Sequence, residues 1–145
     1  MKHKKIYKSL VNMVKWTYLH QSKDVTFDLA NMYFPMQWAR EYCTVKFCLP
    51  RGSGHSHFAV QLCEEFMEPA IVVLNKDMKK NILIIAYPKV PKIFTMRELK
   101  VEGISISHKD GIIIDNASLF SKADITCIYN IFGRYMNRRQ FVFLQ

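Results

Sequence analysis

An α/β fold, with a largely parallel central sheet flanked by helices, is the class this sequence predicts, and three observations predict it. Apolar runs of buried type, VKFCL (45–49), AIVVL (70–74), GIIID (111–115) and FVFLQ (141–145), recur along the chain without the strict alternation of a half-solvated strand. Stretches of helical period lie among them. The glycine-bearing loop at 50–56 and the acid at 115 both fall at the carboxyl ends of such runs, where open parallel sheets place their ligands.

The elements follow in order. Tyr7, Leu10, Val11, Val14 and Tyr18 fall at helical spacing within 5–20, with lysines on the remaining face, which predicts an amphipathic helix. FDLANMYF (27–34) reads as a second helical stretch that Pro35 should break or restart. After the strand at 45–49 comes a glycine-bearing loop, then a helix carrying Phe58, Leu62 and Phe66 four apart. AIVVL and ILIIA (82–86) are two β-branched runs separated by the polar NKDMKKN, expected as a hairpin or as two strands flanking a short crossover. GISIS (103–107) alternates as an edge or half-buried strand should. Ser121 and Asp124 form a capping-box-like start to a helix with Ile125, Ile128, Phe132 and Tyr135. There is no repeat, low-complexity tract or linker, so residues 1–145 read as one domain, with 1–32 as an N-terminal helical segment.

Composition narrows the function classes. Half of the residues are apolar, enough for a packed core and too many for a disordered chain. No apolar run approaches the ~20 residues that span a bilayer, so no membrane segment is expected. The basic start lacks a small-residue cleavage site after a clean apolar stretch, so no secretory signal is expected. Cys43, Cys48, Cys63 and Cys127 form no C-x-x-C pair, sit within apolar, element-like sequence, and read as buried thiols in a reducing cytoplasm. A formal charge of +9 favours polyanionic partners, nucleic acid first. The cations cluster as Lys2, Lys4, Lys5 and Lys8; as Lys76, Lys79, Lys80, Lys89 and Lys92; and as Arg134, Arg138 and Arg139. Aromatic residues lie near them, a mixture that suits phosphate contacts and base stacking on single strands.

The segment LPRGSGHSHF (49–58) carries the chemistry. A phosphate-binding loop of the form G-x-x-x-x-G-K-[ST] sits between a strand and a helix, because phosphate binding needs backbone N–H groups converging at a helix N-terminus. Arg51, Gly52, Ser53, Gly54, His55 and Ser56 meet that context, with His55 where the lysine belongs and Leu49 where the first glycine belongs. A plain turn that uses glycine for its conformational freedom is the competing reading of the same residues. His55, His57 and Cys63 also raise a zinc site, but zinc wants about four such ligands and the expected helix turns His57 and Cys63 apart.

Taken with IIIDNAS (112–118), the loop resembles the P-loop ATPase domains of viral helicases and large-terminase packaging motors. The resemblance spans 33–145. It implies a P-loop NTPase-like fold, ATP and Mg²⁺ as ligands, Ser56 and Asp115 on the metal, and Gly52 to Ser56 around the phosphates. Where the family places a catalytic glutamate after the strand acid this chain has Asn116, which can orient water but cannot take its proton. YFPMQWAREY (33–42) resembles the family's P-x-Q segment, which implies Gln37 as the adenine reader with Trp38 or Tyr33 stacking. FVFLQ resembles the strand whose last residue, here Gln145, senses the γ-phosphate. The expectation is an ATP-binding protein with weak or absent hydrolysis that works with nucleic acid, as a homo-oligomer or beside a larger viral protein, in the (host) cytoplasm. The alternative is a non-enzymatic nucleic-acid- or protein-binding module that retains the ATPase-like fold.

Overall fold

A computed structural model describes residues 3–20, 35–102, 109–133 and 140–145. Among these residues five short strands build one sheet: β1 (Thr44–Phe47), β2 (Pro69–Val73), β3 (Lys92–Thr95), β4 (Gly111–Ile114) and β5 (Gln140–Leu144). Its order is β1-β5-β4-β2-β3 and every neighbouring pair is parallel. A parallel sheet needs a crossover between successive strands, and the helices supply it. The crossovers run through α3 (His55–Leu62), α4 (Lys76–Ala86), α5 (Met96–Glu102) and α6 (Lys122–Phe132), while α1 (His3–His20) and α2 (Pro35–Tyr42) precede β1.

Two cores, one on each face, explain why the strands read as continuous apolar runs. On one face Val11 and Val14 of α1, Phe58 and Leu62 of α3 and Ile82 of α4 cover Ile71, Ile113 and Val142. On the other, Ala39 of α2, Leu99 of α5 and Ile128 and Phe132 of α6 cover Val72, Ile112, Ile114 and Phe141. The four expected strands are present; β1, β2 and β5 begin one residue earlier than the apolar pattern indicates, and β4 begins at Gly111 as expected. Pro35 opens α2, where its missing N–H costs nothing. The Ser121–Asp124 capping box is complete: the Ser121 hydroxyl accepts from the Asp124 N–H, and the Asp124 carboxylate accepts from the Ser121 N–H.

Three features differ from the sequence-based expectations. ILIIA is not a strand but the second half of α4, whose Asn75 cap accepts from the Met78 N–H. Ile82 and Ala86 turn inward one helical turn apart while Ile84 faces solvent, a division that five consecutive apolar letters conceal. The strand paired with β2 is instead β3, behind Pro91. Phe66 lies beyond α3, after a 3-10 turn at Cys63–Glu65, in extended backbone. The expected strand at 103–107 and helical stretch at 27–34, with Lys2, Tyr33, Arg134, Tyr135, Arg138 and Arg139, lie outside the described residues, as do the side chains of Lys4, Lys5 and Trp38.

Neighbouring strands β2 and β4 send their connections to opposite faces, β2 into α4 and β4 into α6. Such reversals open a crevice at the carboxyl edge of a sheet. Among the described residues, no helix is long and apolar enough to cross a membrane.

Candidate functional site

The loop that joins β1 to α3 is shaped by its two glycines. Gly52 (φ 75°) and Gly54 (φ 80°) both hold the left-handed backbone that a Cβ disfavours. Gly54 is also the residue before α3 and, lacking a side chain, makes no cap bond to that helix. The Phe58 N–H already bonds the Gly54 carbonyl at 2.9 Å. The N–H groups of the three residues before it, His55, Ser56 and His57, are first-turn donors with no acceptor inside the helix. A helix end of this kind carries partial positive charge and attracts anions.

Asp115 meets this loop from β4. It directly follows Ile114, its N–H bonds the Val72 carbonyl at 3.1 Å, and its side chain is 1% exposed. Ser56 Oγ donates to Asp115 Oδ2 at 2.7 Å, so the two residues expected to share a metal touch directly, across 59 positions of sequence. Burial pushes the Asp115 carboxyl above the usual aspartate range. The Ser56 hydrogen bond, the nearby His55 and the Asn116 N–H oppose the rise without cancelling it.

Three buried side-chain polar atoms lack a hydrogen-bond partner among the described residues: Ser53 Oγ, His55 Nε2 and Asp115 Oδ1. All three belong to this loop and its facing acid. Leaving a buried polar group unpaired costs about 1–3 kcal/mol, more for a charged one. Three such groups in one place form the pattern expected where a polar ligand completes the structure. Gly52, Gly54, His55, Ser56, His57 and Asn116 line a cleft of about 490 Å³ there, closed on its far side by Asn81, Ile84 and Ile85 of α4. Asn116 sits in the left-handed region (φ 53°), which asparagine tolerates better than most residues.

Other expected residues fall elsewhere. Gln37 lies on α2, whose buried residues pack on the face opposite α3, and its amide donates to Glu41 at 3.1 Å. It is not brought to the loop. Gln145 follows β5, the strand inserted between β1 and β4, so its backbone does reach the root of the loop: its carbonyl accepts from the Leu49 N–H at 2.8 Å. Its side chain lines a different cleft, with Arg40 and Lys46, and accepts from the Cys48 thiol. Arg51 is exposed at the mouth of the loop. Cys63 is buried and donates to the Ala59 carbonyl, apart from the histidines; Cys43 is buried too, but Cys48, just past the end of β1, is exposed and Cys127 half-buried, so the four expected buried thiols are two. The second lysine cluster divides: Lys79 pairs with Glu98 at 2.8 Å, while Lys76 and Lys80 lie in the first half of α4 and Lys89 and Lys92 beyond its far end.

Tyr7 and Asn81 are site neighbours that local sequence did not reveal. The Tyr7 ring stacks on Phe58 at 5.0 Å, and its hydroxyl closes the space behind Gly54. Both come from elements distant in sequence, so no spacing pattern could mark them.

Fold and loop together define an α/β protein with an all-parallel five-stranded sheet covered on both faces and a polar cleft at its carboxyl edge. Comparison of the chain with family models, with curated proteins and with solved structures finds no match.

Proposed function

We propose that this chain binds ATP with Mg²⁺ at the glycine loop, with weak or absent hydrolysis, and works with nucleic acid, as a protein resembling viral helicase and packaging-motor ATPases would. The observation that carries this reading is that the loop before α3 and the acid it touches through Ser56 hold three buried, unpartnered side-chain atoms, Ser53 Oγ, His55 Nε2 and Asp115 Oδ1. Phosphate oxygens would accept from the His55–His57 N–H groups, from Ser53 and from His55. Ser56 and Asp115 fit a magnesium ion: both offer hard oxygen atoms, they already lie within one hydrogen bond of each other, and the Asp115 carboxylate has a free oxygen. Magnesium characteristically takes one or two protein oxygens and completes its shell with phosphate and water. Its chemistry there would be charge neutralisation between the terminal phosphates.

Slow turnover follows from what the loop holds. His55 supplies a weaker and more conditional charge than lysine. Asn116 can hold a water through its amide but offers no base. Positioning and electrostatics would carry any hydrolysis.

The test is calorimetric titration with ATP and Mg²⁺ of the wild type beside Ser56→Ala/Asp115→Ala. Saturable binding that disappears in the folded variant is the expected result. No binding at millimolar ATP would refute the reading and leave a non-enzymatic module that keeps an ATPase-like fold.

A further inference from the structure

A second cleft, of about 510 Å³, opens at the same edge of the sheet on its other face, between α2 and α6 and above β1 and β5. Three cations line it from three separate elements: Arg40 of α2, Lys46 of β1 and Lys122 in the first turn of α6. Among the described residues, no acidic side chain lines it. Arg40 is fixed by donating to Thr126 Oγ1 at 3.0 Å and by lying 5.1 Å over the Tyr129 ring. Lys46 Nζ lies 5.7 Å from the Phe143 ring centre. These contacts orient the cations without neutralising them. Lys122 stands at a helix N-terminus, the end where the macrodipole disfavours a cation. Gathering three like charges against that field raises the free energy of the protein alone and lowers it again when a polyanion arrives.

We infer that this cleft holds the phosphodiester backbone of a single nucleic-acid strand. Arg40, Lys46 and Lys122 are all exposed, so the charge sits on an open rim, as a passing chain requires. The rings of the floor, Tyr129 and Phe143, are 3% and 2% exposed and are not free to stack on a base. The cleft therefore offers charge to a backbone and little with which to read sequence. None of these cations belongs to the lysine and arginine clusters visible in the sequence, and the inference does not rest on the nucleotide reading, because the glycine loop serves the opposite face.

The experiment is fluorescence anisotropy with a labelled oligothymidylate from about 50 to 200 mM salt. Each phosphate contact on a single strand contributes about 0.7 to the slope of log affinity against log salt. Lys46→Gln/Lys122→Gln should weaken binding and make the slope shallower by about 1.4, and Lys122→Gln alone by about half of that. Lys15→Gln/Lys109→Gln, which removes two cations that belong to none of the sequence clusters and are paired with Glu65 and Glu68, should leave the slope unchanged. Melting curves establish that the variants are folded. An unchanged slope in folded Lys46→Gln/Lys122→Gln overturns the inference, as does an equal loss in both double variants. A wild type that ignores the oligonucleotide but binds inorganic triphosphate through Lys46 and Lys122 also overturns it, making the cleft a small-anion site. Loss of ATP binding in Ser56→Ala/Asp115→Ala with oligonucleotide affinity intact would separate the two sites.

Discussion

The glycine loop makes a quantitative prediction, because its two left-handed glycines differ in what surrounds them. A Cβ on Gly52 would meet nothing within 4 Å, whereas one on Gly54 would lie 2.9 Å from the Tyr7 hydroxyl. Alanine at either position carries the left-handed penalty, about 1–2 kcal/mol. Only Gly54→Ala adds a steric term, because Tyr7 is stacked on Phe58 and cannot swing away freely. Overpacking of this kind costs about 1–3 kcal/mol. For a chain of this size each kcal/mol lowers Tm by about 3 °C. Gly52→Ala should therefore melt about 3–6 °C below the wild type, and Gly54→Ala about 6–15 °C below it. Thermal and urea unfolding measure both. Adding Tyr7→Phe to Gly54→Ala removes the clashing oxygen, and the double-mutant cycle should show favourable coupling of at least about 0.5 kcal/mol. Equal destabilisation by the two alanines, with no coupling to Tyr7, would refute the packing described for this loop.

Further outcomes follow from the same geometry. His55→Lys/Asn116→Glu should raise phosphate release from ATP, at a stability cost of about 1–2 kcal/mol for glutamate in the left-handed backbone of position 116; a folded double variant with no gain in steady-state turnover counts against the nucleotide reading. Thiol labelling should modify exposed Cys48 well before Cys63, whose pKa is pushed up to about 12 by burial and then by the Glu64 charge. Rapid Cys63 labelling of the native protein would contradict its burial. The Glu98 carboxyl is held below the usual glutamate range by its Lys79 hydrogen bond and by the Thr95 N–H. A depressed folded value means this contribution is complete above the ordinary glutamate pKa, ~4.3, and is lost as pH falls through the lowered value. Lys79→Met should flatten that part of the acid melting profile, and an unchanged profile would show the pair to be inconsequential.

What could be read along the chain was whatever local chemistry marks. The four strands at β1, β2, β4 and β5 announce themselves because burial on both faces demands unbroken apolar runs. The α6 start was legible because a capping box is a four-residue signal. TMRE (95–98) carries the same signal, and there too the Glu98 N–H bonds Thr95 Oγ1 while the Thr95 N–H bonds the Glu98 carboxylate, yet a seven-residue helix shows too little period to be noticed. ILIIA misled for the complementary reason: apolar content without a visible face does not choose between strand and helix, and the Asn75 cap together with packing on the sheet chose helix. The residue types of the site, glycines before a serine and an acid ending a strand, were likewise present in the sequence.

Tertiary structure decided how those pieces meet. Insertion of β5 between β1 and β4 joins the root of the glycine loop to Gln145, and the convergence of α3 with the end of β4 puts Ser56 against Asp115. The fold also set Gln37 on the far face, brought Tyr7 behind Gly54, and gathered Arg40, Lys46 and Lys122 around one cleft. Local sequence determines which backbone shape and which burial each segment prefers, because those depend on neighbours within a few residues. Which segments become neighbours depends on strand order and on the face each crossover takes, and these are set by burying both faces of the whole sheet at once.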